Sequence, residues 1–191
     1  PPAPPPRAPA RAASRGRSPT RTVTNRCPAP PHPHPDRPRA RPAPSTTTTR
    51  CLLRHGATSC TDVTGFGLLG HLVEMAKASN ARVAVRLGAV PLLPGALECV
   101  QRGIFSSLQP ANLRLKRAVA NETAALRHPA YPLLFDPQTA GGLLSTVPAD
   151  SADACVAELR RLGYESATVV GHVTEVLPDE AACALTLVDI L

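Results

Sequence analysis

Proline divides this chain into two parts that cannot fold in the same way. Residues 1–50 contain 15 of the 23 prolines and 10 of the 21 basic residues, and Asp36 is their only acid. Proline lacks a backbone donor and excludes helix, and few apolar side chains remain there to offset the entropy of ordering. We therefore predict a disordered, low-complexity tail over residues 1–47, with local polyproline II character, followed by a folded domain over residues 48–191.

The positive charge of the chain belongs to its tail. Residues 1–50 have a formal charge of +9 (10 − 1), whereas residues 51–191, with 11 basic and 13 acidic residues, have a charge of −2. A basic arm gives no reason to expect a nucleic-acid surface on the folded part. No apolar run approaches the roughly 18–20 residues that cross a bilayer. We expect no membrane or nucleic-acid partner and a cytoplasmic location, with an organellar one as the alternative if the basic tail is a transit peptide.

The six cysteines lie at least nine residues apart, at Cys27, Cys51, Cys60, Cys99, Cys155 and Cys183. Because no C-x-x-C occurs, the sequence supports neither a zinc knuckle nor a thioredoxin-like redox site. Cys99 and Cys155 fall on the apolar faces of expected helices, where a cysteine is usually a small buried hydrophobe. The pattern favours a reduced, intracellular protein. Since the chain begins at Pro1, we expect a fragment, a processed product or an incomplete gene model.

Helical and strand periodicities alternate after the tail. We predict helices over residues 66–79, 96–103, 112–126 and 150–163, and strands over residues 81–87, 143–147, 168–176 and 184–190. In the first helix the apolar stripe excludes His71, Glu74 and Lys77. The alternation predicts an α/β (α+β) domain, in which helices pack on a mixed sheet.

Two glycine-containing segments carry the chemistry of the sequence. In residues 61–67 (TDVTGFG), Asp62 precedes a turn that opens a helix, and Gly65 and Gly67 permit close backbone approach. A carboxylate beside such a helix start can hold Mg²⁺ while the metal carries phosphate oxygens. The alternative is that Asp62 or Thr64 only caps the helix.

The second segment spans residues 135–142 (FDPQTAGG). It is either a structural turn into the following strand or a loop that faces a ligand, with Gln138 and Thr139 as hydrogen-bonding groups. His71 is either a packed or solvated side chain, or a residue close to Asp62 that assists it without contacting the ligand itself. No Ser/His/Asp grouping and no close pair of carboxylates emerges, so we assign no catalytic residue.

Together, residues 61–71 (TDVTGFGLLGH) and 136–144 (DPQTAGGLL) resemble the selenophosphate synthetase (selenide, water dikinase) family. Residues 89–96 (AVPLLPGA) and 112–114 (NLR) add to the resemblance, which extends from about Arg54 to the C-terminus. That family belongs to the aminoimidazole ribonucleotide synthetase (PurM-like) superfamily, whose members have two α/β domains per chain and usually form dimers. The resemblance therefore implies a PurM-like C-terminal domain here.

The resemblance also implies a reaction, in which ATP, selenide and water give selenophosphate, AMP and phosphate. It assigns Asp62 to Mg²⁺ and places Thr64, Gly65, Gly67, Gln138, Thr139, Gly141 and Gly142 near the nucleotide phosphates. The family's first domain supplies a nucleophilic Cys or selenocysteine, a nearby Lys and further aspartates, and residues 1–50 match none of these. We therefore expect this chain to be an incomplete active site that uses ATP, selenide and Mg²⁺ only with a first domain present. The alternative is a non-catalytic module that dimerises or binds a full-length synthetase.

Overall fold

One mixed sheet forms the centre of the molecule. The computed structural model of the chain describes residues 20–25, 44–139, 141–178 and 187–191. The strands of these residues are β1 (Thr20–Asn25), β2 (Ser59–Asp62), β3 (Ala81–Val85), β4 (Leu143–Pro148), β5 (Thr168–Val176) and β6 (Val188–Ile190). Their order across the sheet is β2-β4-β1-β5-β3-β6. Neighbours are antiparallel, apart from the parallel pair β3 and β6, so the predicted mixed sheet is confirmed.

Helices cover both faces of this sheet, although the short ones do not all pack directly on it. They are α1 (Pro44–Arg54), α2 (Gly67–Ala78), α3 (Ala96–Gln101), α4 (Gln109–Asn112), α5 (Glu122–Ala125) and α6 (Ala152–Arg161). Short 3₁₀ segments occupy Leu87–Ala89, Leu113–Ala118 and Tyr131–Phe135. Among the described residues, no helix combines the length and the apolar character that crossing a membrane requires.

The core is mostly aliphatic and lies in two clusters, one on each face. Side chains of successive strand residues point to opposite faces, and in β4 Leu144 belongs to one cluster and Val147 to the other. Helix α2 covers the first cluster with Leu69, Leu72 and Val73. Helices α1 and α6 cover the second, which includes Cys51, Leu52, Cys155 and Leu159. Three aromatic side chains are buried with these aliphatic ones, Tyr131 and Phe135 in the first cluster and Tyr164 in the second.

Strand β1 corrects the prediction that residues 1–47 are disordered. Residues 20–25 lie between β4 and β5, paired with β4 from Thr20↔Pro148 to Asn25↔Leu143, and α1 begins at Pro44. The alternating β-branched residues of TRTVTN suit a strand, and Val23 is only 1% exposed. The prediction is therefore wrong for residues 20–25 and 44–47, while the rest of the predicted tail lies outside the described residues.

The predicted helix over residues 112–126 is also wrong. The chain there breaks into a 3₁₀ segment, an extended residue at Val119 and the short helix α5. Sheet pairing overrides helical propensity at the break: Val119 bridges Val188, and the amide of Ala120 donates to the carbonyl of Val188 at 2.8 Å. Of the predicted last strand, residues 188–190 are observed as β6 and residues 184–186 lie outside the described residues.

The two cysteines expected to be buried have different environments. Cys155 on α6 is fully buried, as predicted, whereas Cys99 on α3 is exposed. No residue of α3 is buried, so the apolar face that the sequence suggested for Cys99 does not pack on the sheet. The prediction for Cys99 is wrong because a short helix at the surface cannot bury its whole apolar stripe.

Candidate functional site

The structure brings the two glycine-containing segments together. Strands β2 and β4 are antiparallel neighbours, so the end of β2 meets the start of β4, and Asp62 is paired with Leu143. Beyond the strands, the amide of Val63 donates to the carbonyl of Gly142 at 2.9 Å, and the amide of Gln138 donates to the carbonyl of Thr64 at 3.1 Å. Segments separated by 67 residues of sequence (68–134) therefore form one continuous surface.

Asp62 is the last residue of β2, at the edge of the sheet. Its side chain is exposed, and among the described residues its carboxylate has no hydrogen-bonding or ion-pairing partner. The residue before helix α2 is Phe66, whose side chain makes no capping bond. A solvated carboxylate without a protein partner is free to ligate a cation. This geometry is what a metal ligand needs, and the assignment of Asp62 to Mg²⁺ stays a prediction.

Asn112 joins the two segments through hydrogen bonds, and the sequence predicted no role for it. Its Nδ2 group donates to the carbonyl of Gly65 at 2.9 Å and to the carbonyl of Phe135 at 3.0 Å. The residue is only 4% exposed. Because a buried amide with both donors used is costly to replace, Asn112 fixes the relative position of the two loops. The only signal in the sequence was its place in a stretch that supports the family resemblance.

The glycines of the two segments have different reasons to be glycine. At Gly67, φ is +69°, and an added Cβ would lie 2.8 Å from the carbonyl oxygen of Leu134. At Gly141 an added Cβ would lie 2.1 Å from the carbonyl oxygen of Val63. Both glycines thus let the two segments approach each other. Gly65, by contrast, has nothing within 4 Å of an added Cβ, so it faces the open space that a ligand would need.

His71 is buried, which corrects its predicted position outside the apolar stripe of the helix. Its Nε2 atom lies 3.1 Å from the hydroxyl of Thr64, its Nδ1 atom lies 3.4 Å from a carboxylate oxygen of Glu74, and its ring packs against Phe66 at 5.6 Å. The turn between β2 and α2 folds back over the helix and covers the ring. His71 therefore holds the loop that follows Asp62, through Thr64.

A cleft of about 110 Å³ opens beside the second segment. Asp136, Gln138, Gly141 and Gly142 line it, together with apolar residues of the loop that precedes α3. Asp136 was not among the candidates predicted from the sequence. Burial raises the pKa of its carboxyl, and a hydrogen bond from Nε2 of Gln138 at 2.9 Å acts in the opposite direction. Thr139 is exposed beside them.

A larger cavity, of about 390 Å³, lies elsewhere, between the C-terminal half of α2 and strands β3 and β5. Among the described residues that line it, Glu175 alone is charged, and none belongs to either glycine-containing segment. Size alone would favour this cavity as a ligand site. The surface formed by residues 61–67 and 135–142 is the better candidate, because it combines the unpaired carboxylate of Asp62, the open space beside Gly65 and convergent polar groups.

The fold and this surface define a known class of domain. Over residues 32–178 the chain matches the family described as AIR synthase related protein, C-terminal domain. Since the match covers most of the chain, the protein belongs to that family, and the PurM-like C-terminal fold expected from the sequence is confirmed.

Among sequenced relatives, the chain is similar to "Selenide, water dikinase" of Pelobacter propionicus, with 42% identity over 117 residues, which is 61% of this chain and 34% of the relative. The enzyme of the same name from Clostridioides difficile is 36% identical over 115 residues, covering 60% and 33%. That from Paraburkholderia xenovorans is 37% identical over 118 residues, covering 62% and 33%. The resemblance to selenide, water dikinases is confirmed, and the chain spans about a third of the length of these relatives.

Among solved structures, the chain resembles the hydrogenase maturation protein HypE, with a TM-score of 0.47 and 24% identity, over 68% of this chain and 33% of the other. This similarity is too distant to bear on function.

Proposed function

We propose that this domain is the C-terminal half-site of a selenide, water dikinase. The observation that carries the proposal is an exposed carboxylate without a protein partner, Asp62, beside two glycine-containing segments that Asn112 holds together. Similarity to enzymes named selenide, water dikinase supports the reaction, in which ATP, selenide and water yield selenophosphate, AMP and phosphate.

The donor set of the site fits Mg²⁺, although only in part. A carboxylate oxygen is a hard ligand of the kind that Mg²⁺ prefers, and the ion would supply charge neutralisation on the phosphates that it contacts. Asp62 offers one such ligand, whereas Mg²⁺ needs octahedral geometry with several oxygens. We infer that a first domain and the ATP phosphates supply the rest, and that Asp62 presents its oxygens from the edge of the sheet.

The size of the cleft also indicates that this domain forms only part of the site and that a first domain supplies the rest. Its volume of about 110 Å³ is below the roughly 300–1,000 Å³ typical of small-molecule pockets. The lysines of the chain, Lys77 and Lys116, are exposed on other elements, and Lys116 lies 3.6 Å from Glu122. Cys60 is exposed as a residue, but desolvation of its sulfur and the charge of Asp62 raise the pKa of its thiol, which disfavours the nucleophilic thiolate. In this proposal the domain completes an active site and does not form one alone.

The test is an assay of selenide-dependent AMP release with this chain alone, with a separate first domain of a related enzyme, and with both. We expect activity only when both are present. Asp62→Asn should raise the Mg²⁺ concentration that the reconstituted pair needs and lower its activity by at least tenfold. The matched control is Asp150→Asn, an exposed acid outside both motifs. Activity of the chain alone, or an Asp62→Asn pair with unchanged Mg²⁺ dependence, would refute the proposal.

A non-catalytic binding module is the second candidate, and exposed apolar residues favour it. Leu92, Leu93, Ile104, Phe105 and Leu108 are all at least 36% exposed, and exposed large hydrophobes of this kind often mark protein contacts. If binding is the function, the chain should dimerise, or bind a full-length synthetase, without any dependence on Asp62. Sedimentation equilibrium of wild type and the Asp62→Asn variant distinguishes the two candidates.

A further inference from the structure

A cluster of metal-binding side chains lies on the opposite side of the fold from the α2 core, between α1 and α6. The thiols of Cys51 and Cys155 and a ring nitrogen of His55 all lie within 4.8 Å of one another. Both cysteines are 0% exposed, and His55 is half-buried. The sequence could not indicate this cluster, because its two cysteines are 104 residues apart and no short cysteine motif contains them.

Helical spacing explains why these groups converge. Cys51 lies in α1 and His55 just after it, four residues on, while Cys155 and Glu158 are three residues apart in α6. Residues at these spacings share one face of a helix. Since α1 and α6 pack against each other in the same core cluster, the two faces meet. Facing helices that each contribute two inward side chains are a common way to build a metal site.

Glu158 and Arg54 complete the surroundings of the cluster. A carboxylate oxygen of Glu158 lies 2.8 Å from Nε2 of His55, and its other oxygen pairs with Arg54. A histidine that binds a metal usually donates its second ring N–H to a carboxylate, which fixes the orientation of the ring. The charges of Arg54 and Glu158 cancel each other. The thiolates of Cys51 and Cys155 would therefore balance the charge of a divalent cation. Such balance matters because unpaired charge in a buried site is costly.

We propose that Cys51, Cys155 and His55 bind a thiophilic divalent cation of the zinc type, with Glu158 orienting His55. Each thiol would release one proton to solvent as its sulfur bonds to the metal, and no redox step is involved. Tetrahedral zinc has Zn–S distances of about 2.3 Å and Zn–N distances of about 2.0–2.1 Å. Donors within 4.8 Å of one another would have to move closer together to share one ion, and they supply three of its four ligands. The ion would join α1 to α6 and does not depend on the proposed dikinase activity.

Cobalt provides the direct test, on the full chain after reduction and removal of metals by a chelator. We expect one equivalent of Co²⁺ to give the visible absorption of a tetrahedral site together with thiolate-to-cobalt charge transfer, and Zn²⁺ to displace it. Cys51→Ser and Cys155→Ser should each weaken or remove the charge-transfer band. Cys60→Ser and Cys99→Ser, at exposed cysteines, should leave it unchanged. Glu158→Gln should weaken binding about 10–100-fold, as loss of a group that orients a ligand does.

Folding of each variant is followed by circular dichroism, and His55→Gln serves as a variant that leaves both buried thiols in place. Zn²⁺ should raise the Tm of wild type and of the two control variants, and should not raise the Tm of His55→Gln. Absence of charge transfer in the wild type, or its full retention in both Cys51→Ser and Cys155→Ser, would overturn the proposal. So would a disulfide between Cys51 and Cys155 that forms as fast with saturating Zn²⁺ as without it.

Discussion

Replacing Asn112 by alanine tests whether one amide holds the candidate site together. The change removes two hydrogen bonds, to the carbonyls of Gly65 and Phe135. The carbonyl of Phe135, which is buried, then lacks this donor. A hydrogen bond contributes a net of about 0.5–1.5 kcal/mol, and a buried group left unpaired costs about 1–3 kcal/mol. We therefore expect Asn112→Ala to lower the free energy of unfolding by about 1–3 kcal/mol.

The assay is urea unfolding followed by circular dichroism, with Asn121→Ala as a matched control. Asn121 makes a similar pair of bonds far from the site: its Nδ2 donates to the carbonyl of Ile190 at 2.6 Å, and its Oδ1 accepts from the amide of Ile190 at 2.9 Å. Both variants should lose comparable stability. In the reconstituted pair with a first domain, at a temperature where all chains are folded, only Asn112→Ala should reduce AMP release.

Two results would refute this reasoning. A loss of stability below about 0.5 kcal/mol for Asn112→Ala would fall within the range of an ordinary surface substitution and would mean that the two bonds contribute nothing. Equal losses of AMP release in both variants would mean that the activity follows overall stability and not the position of the two loops.

Three further predictions concern the fold. Gly67→Ala should destabilise the protein by more than about 2 kcal/mol in urea unfolding, because its φ is +69° and the new Cβ would meet the carbonyl of Leu134, while Gly65→Ala should be close to neutral; equal effects would contradict the packing role of Gly67. Burial raises the pKa of Asp136 in the folded state above its usual 3.8, so the folded state binds the proton more tightly than the unfolded state does. The stability that this proton provides is complete below pH 3.8 and should be lost as pH rises from there through the folded-state pKa. Asp136→Asn should remove this slope from a pH series of Tm values, and an unchanged slope would assign it to other groups. Val23→Asp should prevent cooperative unfolding by placing a charge in a cluster where Val23 is 1% exposed, whereas Val176→Asp, at a position 55% exposed, should not; a stable Val23→Asp variant would mean that β1 does not hold its place in the sheet.

The sequence predicted correctly the elements whose structure depends mainly on the pattern of neighbouring residues. Periodicity located α2 and α6, because a helix must present one apolar face to the core, and the buried strand predicted over residues 143–147 corresponds to β4. Glycines flanking Asp62 and Gln138 marked the two segments that the structure brings together. The class of fold follows from these elements, since alternating helices and strands have few ways to bury their apolar faces.

Local rules were insufficient where distant parts of the chain compete for the same backbone. Composition predicted disorder for residues 20–25, yet β4 and β5 supply hydrogen-bonding partners that make TRTVTN a central strand. Pairing with β6 likewise interrupted the helix expected over residues 112–126 at Val119. A propensity of a few tenths of a kcal/mol per residue is readily outweighed by sheet pairing and burial.

By itself, then, the sequence determined the family, the order of most elements and the residues of the two motifs, because each is written in contiguous stretches of chain. Only the tertiary structure decided that Asn112 joins those motifs, that His71 is buried beneath the first of them and that Cys51, His55 and Cys155 converge. Each of these arrangements depends on which faces of separate elements meet. That choice is made by packing across the whole core, and no local pattern of residues contains it.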